Sequence, residues 1–174
     1  EATEGAADAN PEEKTKEQIA AEEAAKKQAS YDTPVDTNGL ENWPTGPNVY
    51  AASAIVMDID SGAVLYGKQI DEKRYPASIT KIMTAYLACK YGKFDDTLTA
   101  SHNAIYGIGQ GSSIIGIQEG EQISFLDGLY GIMMESANEV CMMVAEHIDG
   151  TVEKFVERMN KQAQDWGCKD THFN

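Results

Sequence analysis

A serine and a lysine stand three residues apart in the segment YPASITKIMTAYLAC, residues 75–89. Ser78 and Lys81 would share one face of a helix, because residues three apart lie about one turn apart. Lys81 is the only charged residue of this segment, so the helix is predicted to be apolar on nearly all sides and buried. Burial lowers the pKa of a lysine, and a neutral lysine beside a hydroxyl can act as the general base for a nucleophilic serine.

The start of the same segment is suited to stabilising negative charge. Pro76 and Ala77 favour a helix that begins near Ser78, where first-turn N–H groups and the positive end of the helix dipole stabilise an oxyanion. A simpler interpretation is also open, in which Ser78 caps the helix and the Lys81 amine extends to water. Because a Ser-x-x-Lys spacing arises about once by chance in a chain of this size, the spacing alone does not decide between them.

A Ser-x-Asn pattern occurs twice. Ser-His-Asn at 101–103 lies in a polar stretch, which is typical of a turn. Ser-Ala-Asn at 136–138 lies between two predicted apolar helices, and it has two interpretations. Ser136 with Glu139 fits a capping box that opens the second helix. Alternatively, Ser136 relays a proton while the Asn138 amide holds the lysine and the substrate. Taken alone, these residues favour the capping box.

Composition excludes several classes of function. The 174 residues carry a net charge of −14, which argues against nucleic acid as a partner because phosphates require clustered Lys and Arg. No apolar run approaches the roughly 20 residues that span a bilayer. The three cysteines and three histidines have no metal-ligand spacing, so neither a metal nor another cofactor is expected. Cys89 and Cys141 lie within apolar helical patterns, where cysteine usually behaves as a small hydrophobe.

Three regions are predicted along the chain. Residues 1–30 are Ala, Glu and Lys with almost no large apolar side chain, which indicates a disordered or solvated helical leader. Residues 31–48 are rich in Pro, Gly, Asn and Asp and indicate a linker. Residues 49–174 are predicted to be globular, but the segment 95–122 is rich in loops. The chain also stops where an extended segment is expected to begin, so the domain is expected to be incomplete.

The globular region is predicted to contain one hairpin, whose turn is Asp60-Ser61-Gly62, and several helices. The helices are one from about Ser78 to Lys90, one capped by Ser124 and Asp127, one ending at Asp149-Gly150, and an amphipathic one from Val152 to Trp166 that stops at Gly167. Since an isolated hairpin is marginal in water, these helices are expected to pack on a larger sheet.

Taken together, these segments resemble the serine D-alanyl-D-alanine carboxypeptidases, the low-molecular-mass penicillin-binding proteins. YPASITKIMTAYLA resembles the nucleophile segment of that family, and the stretch from GSSIIGIQEGEQ through GCKDTHF, residues 111–173, is similar to its central region. The resemblance covers about residues 49–174. It implies a mixed α/β fold of the β-lactamase/DD-peptidase type, with helices packed on a mostly antiparallel sheet. This chain would carry the helical part and the first hairpin.

The resemblance implies a role for four side chains. Ser78 would be the acylated nucleophile, Lys81 its general base, Ser136 a proton shuttle toward the leaving amine, and Asn138 a partner of Lys81 and of the substrate amide. The Ser78 N–H would be one oxyanion donor. The implied reaction removes the terminal D-alanine from peptidoglycan stem peptides ending in D-Ala-D-Ala. β-Lactam antibiotics would acylate the same serine, and the protein would be exported to the bacterial cell envelope.

One departure from the family pattern concerns a third motif, Lys-Thr/Ser-Gly, which lies on a strand that closes the cleft. No such triplet occurs in the 174 residues. Loss of one oxyanion donor costs about 10²–10³ in rate, so this chain alone is expected to be inactive. The missing C-terminal part, or a second chain, is therefore an expected partner.

Two alternative functions stay open. The first is a β-lactamase of the same fold, although that group has Ser-Asp-Asn where this chain has Ser-Ala-Asn, and no deacylating glutamate motif is visible. The second is a non-catalytic envelope protein that only binds peptidoglycan.

Overall fold

The computed structural model describes residues 14–36 and 40–174, and the chain divides into two compact units, residues 1–73 and 74–174. The first 13 residues of the predicted leader, and residues 37–39 of the predicted linker, lie outside the described residues.

The first unit contains a helix whose sequence has no apolar face. Helix α1, Lys16–Asp32, begins with a capping box in which Thr15 accepts from the Gln18 N–H and the Gln18 side chain accepts from the Thr15 N–H. Reciprocal bonds of this kind satisfy backbone donors that have no partner within the helix. None of its residues is buried, so α1 is a solvated helix.

The same unit contains the predicted hairpin. Strand β1, Ala54–Met57, pairs antiparallel with β2, Val64–Lys68. The Asp58 carboxylate accepts hydrogen bonds from the N–H and the hydroxyl of Ser61 in the turn, which lowers the pKa of Asp58. The predicted hairpin is therefore confirmed.

A fully buried lysine joins parts of the first unit. The Lys68 amine donates to the Ser30 carbonyl at 2.5 Å, at the end of α1, and to the Val49 carbonyl at 2.6 Å. A buried amine requires such acceptors because burial removes its water. Lys68 thus fixes the end of α1 against the hairpin strand.

The second unit carries most of the helices. A 3-10 turn, Ala77–Ile79, leads into α2, Thr80–Tyr91. The remaining elements are, in order, β3 Thr97–Thr99, α3 His102–Tyr106, β4 Gln122–Ser124, α4 Phe125–Glu135, α5 Asn138–Asp149 and α6 Val152–Asp165.

The helix ends follow the sequence signals closely. Ser124 caps α4 by accepting from the Asp127 N–H at 3.0 Å. Helix α5 ends at Asp149 with Gly150 in the left-handed region, φ 80°, and Gly167, φ 81°, follows α6. Glycine reaches this region without a Cβ clash, so these stops were predictable and are confirmed.

Residues 95–122 contain more structure than expected. Strands β3 and β4 pair antiparallel here, and the short helix α3 lies between them. Strands of three residues and a helix of five are too short to produce a periodic pattern in the sequence.

The core of the second unit has two clusters of buried side chains. The larger lies around α4, α5 and β3, and the smaller between α2, α5 and α6. Their largest members are Leu98, Phe125, Ile132, Val140, Met143 and Val144 in the first, and Leu87, Phe155 and Met159 in the second. The amphipathic pattern of α6 predicted the buried positions Phe155, Met159 and Ala163, whereas Trp166 at the end of the pattern is exposed.

Helix α2 is not buried on all sides, so that expectation was wrong. Ile82 and Tyr86 are exposed, as is Ile79 in the turn before the helix, whereas Met83 and Leu87 are buried. Cys89 is exposed as well. An apolar sequence predicts the composition of a helix but not which of its faces the rest of the unit covers.

The expected fold class is confirmed. Throughout the described residues the strand pairs are antiparallel and helices account for most of the regular structure, as in a mixed α/β fold. Among the same residues, no helix combines the length and the apolar character that crossing a membrane requires.

Candidate active site

The turn before α2 places Ser78 at the surface. Ser78 is exposed in the 3-10 turn, where side chains three residues apart are stacked along the axis. The N-cap of α2 is Ile79, and its side chain makes no capping hydrogen bond. The interpretation of Ser78 as a simple helix cap is therefore wrong.

The residue before Ser78 has an unusual backbone conformation. Ala77 has φ 49°, in a region that costs a non-glycine residue about 1–2 kcal/mol. Such conformations persist only where the surroundings fix them, and they concentrate at functional sites.

The Ser136 hydroxyl reaches Ser78. Ser136 ends α4 in the left-handed region, φ 59°, and its Oγ donates to Ser78 Oγ at 2.9 Å. It does not cap α5, whose N-cap is Ala137 without a side-chain hydrogen bond. The capping-box interpretation of Ser136 and Glu139 is therefore wrong.

The Lys81 amine is held by Asn138. Lys81 is half-buried, and its Nζ donates to Asn138 Oδ1 at 2.9 Å. The Asn138 side chain is oriented in turn by Ser113, whose carbonyl accepts from Asn138 Nδ2 at 3.1 Å and from the Asn138 N–H at 2.9 Å. The residues predicted from the two motifs thus lie together.

A partly buried thiol, Cys141, lies near this lysine, and a buried carboxylate, Glu139, lies near that thiol. Burial raises the pKa of Cys141 to about 11; the Lys81 charge acts in the opposite direction, and Glu139 adds to the increase. The side chain of Glu139 is 1% exposed, and its Oε1 accepts from the N–H groups of Ile115 and Gly116.

The other Ser-x-Asn motif lies elsewhere. Ser101 caps α3 by accepting from the Ala104 N–H at 2.9 Å, and Asn103 donates to Glu146. The prediction of a turn at this motif is therefore wrong, because Ser101 caps α3 and His102 and Asn103 lie in its first turn. Within residues 14–36 and 40–174, no group of three or more His, Cys, Asp or Glu side chains is placed to hold a metal ion.

Sequence reasoning missed Ser113 and the contacts of Glu139. Ser113 acts through its carbonyl oxygen, which every residue type has, so no residue signal was available. Glu139 was noticed only as a member of a capping box. Its position next to the Ser-Ala-Asn motif was a usable signal. A carboxylate in the first turn of a helix that does not take part in a capping box needs hydrogen-bond donors from elsewhere in the protein when it is buried.

The geometry supports acyl transfer chemistry. An exposed hydroxyl, a second hydroxyl bonded to it, and a nearby motif that holds a lysine amine by an amide are the groups that a nucleophilic serine requires. In this turn the Ile79 N–H donates to the Pro76 carbonyl and the Thr80 N–H donates to the Ala77 carbonyl.

Comparison with known proteins points to one family. The profile of the D-alanyl-D-alanine carboxypeptidase family matches residues 41–174. The chain is 38% identical over 144 residues to the D-alanyl-D-alanine carboxypeptidase DacA of Haemophilus influenzae, covering 80% of this chain and 37% of that protein. It is 40% identical over 129 residues to DacF of Bacillus subtilis, covering 71% of this chain and 32% of that protein.

Solved structures agree. Penicillin binding protein 6B from Escherichia coli superposes with a TM-score of 0.71 at 32% identity, covering 79% of this chain and 46% of that one. Penicillin binding protein 5 from Haemophilus influenzae superposes with a TM-score of 0.69 at 36% identity, covering 75% of this chain and 40% of that one. The chain thus spans less than half the length of these relatives, and it belongs to the D-alanyl-D-alanine carboxypeptidase family.

Proposed function

We propose that the protein carrying these residues is a serine-type carboxypeptidase that removes the terminal D-alanine from peptidoglycan stem peptides. The observation that carries the proposal is the pair of hydrogen bonds, each 2.9 Å long, that joins Ser136 to Ser78 and Lys81 to Asn138. Family membership supports the choice of substrate class.

In the first half of the reaction, Ser78 Oγ attacks the carbonyl carbon of the penultimate D-alanine. The Ser78 proton passes to the neutral Lys81 amine, which requires that amine to be deprotonated. The carbonyl oxygen becomes an oxyanion, stabilised by the Ser78 N–H at the start of the helix. Asn138 holds the Lys81 amine through its Oδ1.

The intermediate then collapses to an ester on Ser78. The bond between the carbonyl carbon and the leaving nitrogen breaks, Ser136 gives its proton to the departing D-alanine amine, and Lys81 returns a proton to Ser136. Water next attacks the ester carbonyl, its proton goes to Lys81, and the shortened peptide leaves as Ser78 regains a proton.

The same serine is the proposed target of β-lactam antibiotics, since their strained amide offers an equivalent carbonyl to Ser78. Because peptidoglycan lies outside the cytoplasmic membrane, the proposed location is the bacterial cell envelope, after export. The stem peptide ending in D-Ala-D-Ala is the proposed partner.

The test uses the whole encoded protein that carries these residues and a fluorescent penicillin. A covalent label on the unaltered protein, mapped to Ser78 by mass spectrometry, and its absence in Ser78→Ala are the expected results. Ser101→Ala is the matched control, because Ser101 caps α3 away from the site, and it should be labelled normally. Release of D-alanine from a synthetic pentapeptide should be lost only in Ser78→Ala.

Other outcomes identify the alternatives. Rapid turnover of the penicillin with little D-alanine release would indicate a β-lactamase. Binding of peptidoglycan without any covalent label would indicate a non-catalytic binding protein. Either result would overturn the proposed activity.

A further inference from the structure

Glu139 is the one fully buried acidic side chain of the described residues, and the proposed reaction does not use it. Its relative exposure is 1%. Its Oε1 accepts from the Ile115 N–H at 2.6 Å and from the Gly116 N–H at 3.1 Å. Within the described part of the chain, Oε2 has no hydrogen-bond partner. Burying a carboxylate in this way is costly, so a compensating role is expected.

The two amide groups that Glu139 holds belong to a loop that also holds Asn138. The Ser113 carbonyl, two residues before Ile115, accepts from both the backbone and the side-chain nitrogen of Asn138. Adjacent residues in the first turn of α5 therefore hold the same loop at two points. At the first point the Ser113 carbonyl of the loop accepts from Asn138. At the second point two N–H groups of the loop donate to Glu139.

The contacts of Glu139 with the Ile115 and Gly116 N–H groups help to hold the Ser113 carbonyl in place against Asn138. Gly116 has φ 83°, a conformation that is open to glycine and gives the chain freedom at this point. Without an acceptor for the Ile115 and Gly116 N–H groups, the segment 113–116 would lose a fixed position. The Ser113 carbonyl orients the Asn138 amide, whose Oδ1 accepts from Lys81 at 2.9 Å.

We infer that Glu139 is a positioning residue, which fixes loop 113–116 so that Asn138 holds the Lys81 amine at the reacting serine. The inference rests on the proposed function, because it assigns Lys81 to proton transfer. Its effect is geometric and depends on the reach of the Oε1 acceptor more than on the negative charge.

Two substitutions separate the position of the Glu139 acceptor oxygen from the charge of its side chain. Glu139→Gln keeps an oxygen acceptor at the same distance and removes the charge. Glu139→Asp keeps the charge and withdraws the acceptor by one methylene. Glu146→Gln is the matched control, because Glu146 lies two turns further along α5 and accepts from Asn103.

The measurement is the rate of acylation of Ser78 by a fluorescent penicillin, in the whole encoded protein and per folded molecule. Glu139→Asp should lower the maximal acylation rate roughly tenfold to a hundredfold, the range for loss of a supporting contact, with little change in the half-saturating concentration. Glu139→Gln should stay within about threefold of the unaltered protein, since a neutral acceptor replaces a charged one. Glu146→Gln should be unchanged.

Contrary outcomes are distinct. If Glu139→Gln is slow and Glu139→Asp is normal, the role is electrostatic and the inference is overturned. If both variants only lower the melting temperature while folded molecules are acylated normally, the role is structural and the inference is overturned as well. A label that persists in Ser78→Ala would instead refute the proposed function.

Discussion

The thiol of Cys141 shows how strongly this interior disfavours an added negative charge. Asn138 and Cys141 are three residues apart on α5, so the thiol lies on the face of the helix that carries the Lys81 partner. Burial is the main cause of its raised pKa, and the neighbouring Lys81 charge does not offset it. An anion is therefore costly here unless, as for Glu139 Oε1, backbone donors meet it.

This environment predicts that the Cys141 thiol is alkylated slowly. At a pKa of about 11, roughly one Cys141 thiol in a thousand is ionised at pH 8, against about one in four for an ordinary thiol of pKa about 8.5. Iodoacetamide should therefore alkylate Cys141 roughly a hundredfold more slowly than the exposed Cys89 and Cys168. The Cys141 rate should keep rising from pH 8 to 10, because its thiolate fraction does.

Timed alkylation followed by peptide mass spectrometry measures the three rates in one sample. The exposed cysteines serve as internal controls for reagent quality and pH. Equal rates at Cys141 and Cys89 would contradict the raised pKa.

At the scale of the elements, α4 packs closely through glycine. A Cβ on Gly128 would lie 2.6 Å from Leu98 Cδ1 and 3.3 Å from Val140 Cγ1. One turn further on, a Cβ on Gly131 would lie 3.5 Å from Ile115 Cδ1, which is an ordinary contact. The first glycine is thus required by the approach of β3 and α5, and the second is not.

The two positions predict opposite effects on stability. Gly128→Ala should lower the free energy of unfolding by about 1–3 kcal/mol, because Leu98 is fully buried and has little room to move. Gly131→Ala should leave it unchanged or raise it by up to about 1 kcal/mol, because alanine is the better helix former. Urea denaturation followed by circular dichroism measures both values. A stabilised Gly128→Ala variant would show that this packing is looser than the distances indicate.

At the scale of the whole molecule, sequence reasoning succeeded where the determinants are local. Gly150 and Ser124 act within a few residues of the helix ends that they define, and the hairpin turn is equally local. Each half of the candidate site could likewise be predicted, because Ser78 and Lys81 lie three residues apart, and Ser136 and Asn138 lie two residues apart. The assignment of catalytic roles to these side chains stays a prediction.

What the sequence did not supply is long-range pairing. The hydrogen bond from Lys81 to Asn138 joins residues 57 apart, and that from Ser136 to Ser78 joins residues 58 apart. Only the resemblance to a family indicated that the motif of Ser78 and Lys81 lies beside the motif of Ser136 and Asn138. Local sequence patterns did not indicate it. Strands β3 and β4 were missed for the same reason, since neither is long enough to be seen without its partner. The exposed face of α2 depends on what surrounds it, which no periodicity within the helix encodes.

Net charge is the property of the whole molecule that gives a further prediction. The chain has 28 acidic against 14 basic residues, a net charge of −14, and repulsion among these charges opposes the compact state. Raising NaCl from about 0.01 M to 0.15 M shortens the screening length from about 30 Å to 8 Å. The melting temperature of the 174-residue chain should therefore rise by about 2–4 °C, which corresponds to roughly 1 kcal/mol for a chain of this size.

A charge variant provides the control for this salt effect. Glu23→Lys together with Glu157→Lys changes two exposed carboxylates and moves the net charge by four, from −14 to −10. Its salt-dependent rise in melting temperature should be smaller, because less repulsion is left to screen. Screening also weakens favourable pairs at the surface such as Lys161 with Asp165, but an exposed pair of this kind contributes only about 0–1 kcal/mol. A melting temperature that falls with salt, measured by calorimetry, would mean that such pairs outweigh the repulsion and that the acidic surface does not limit stability.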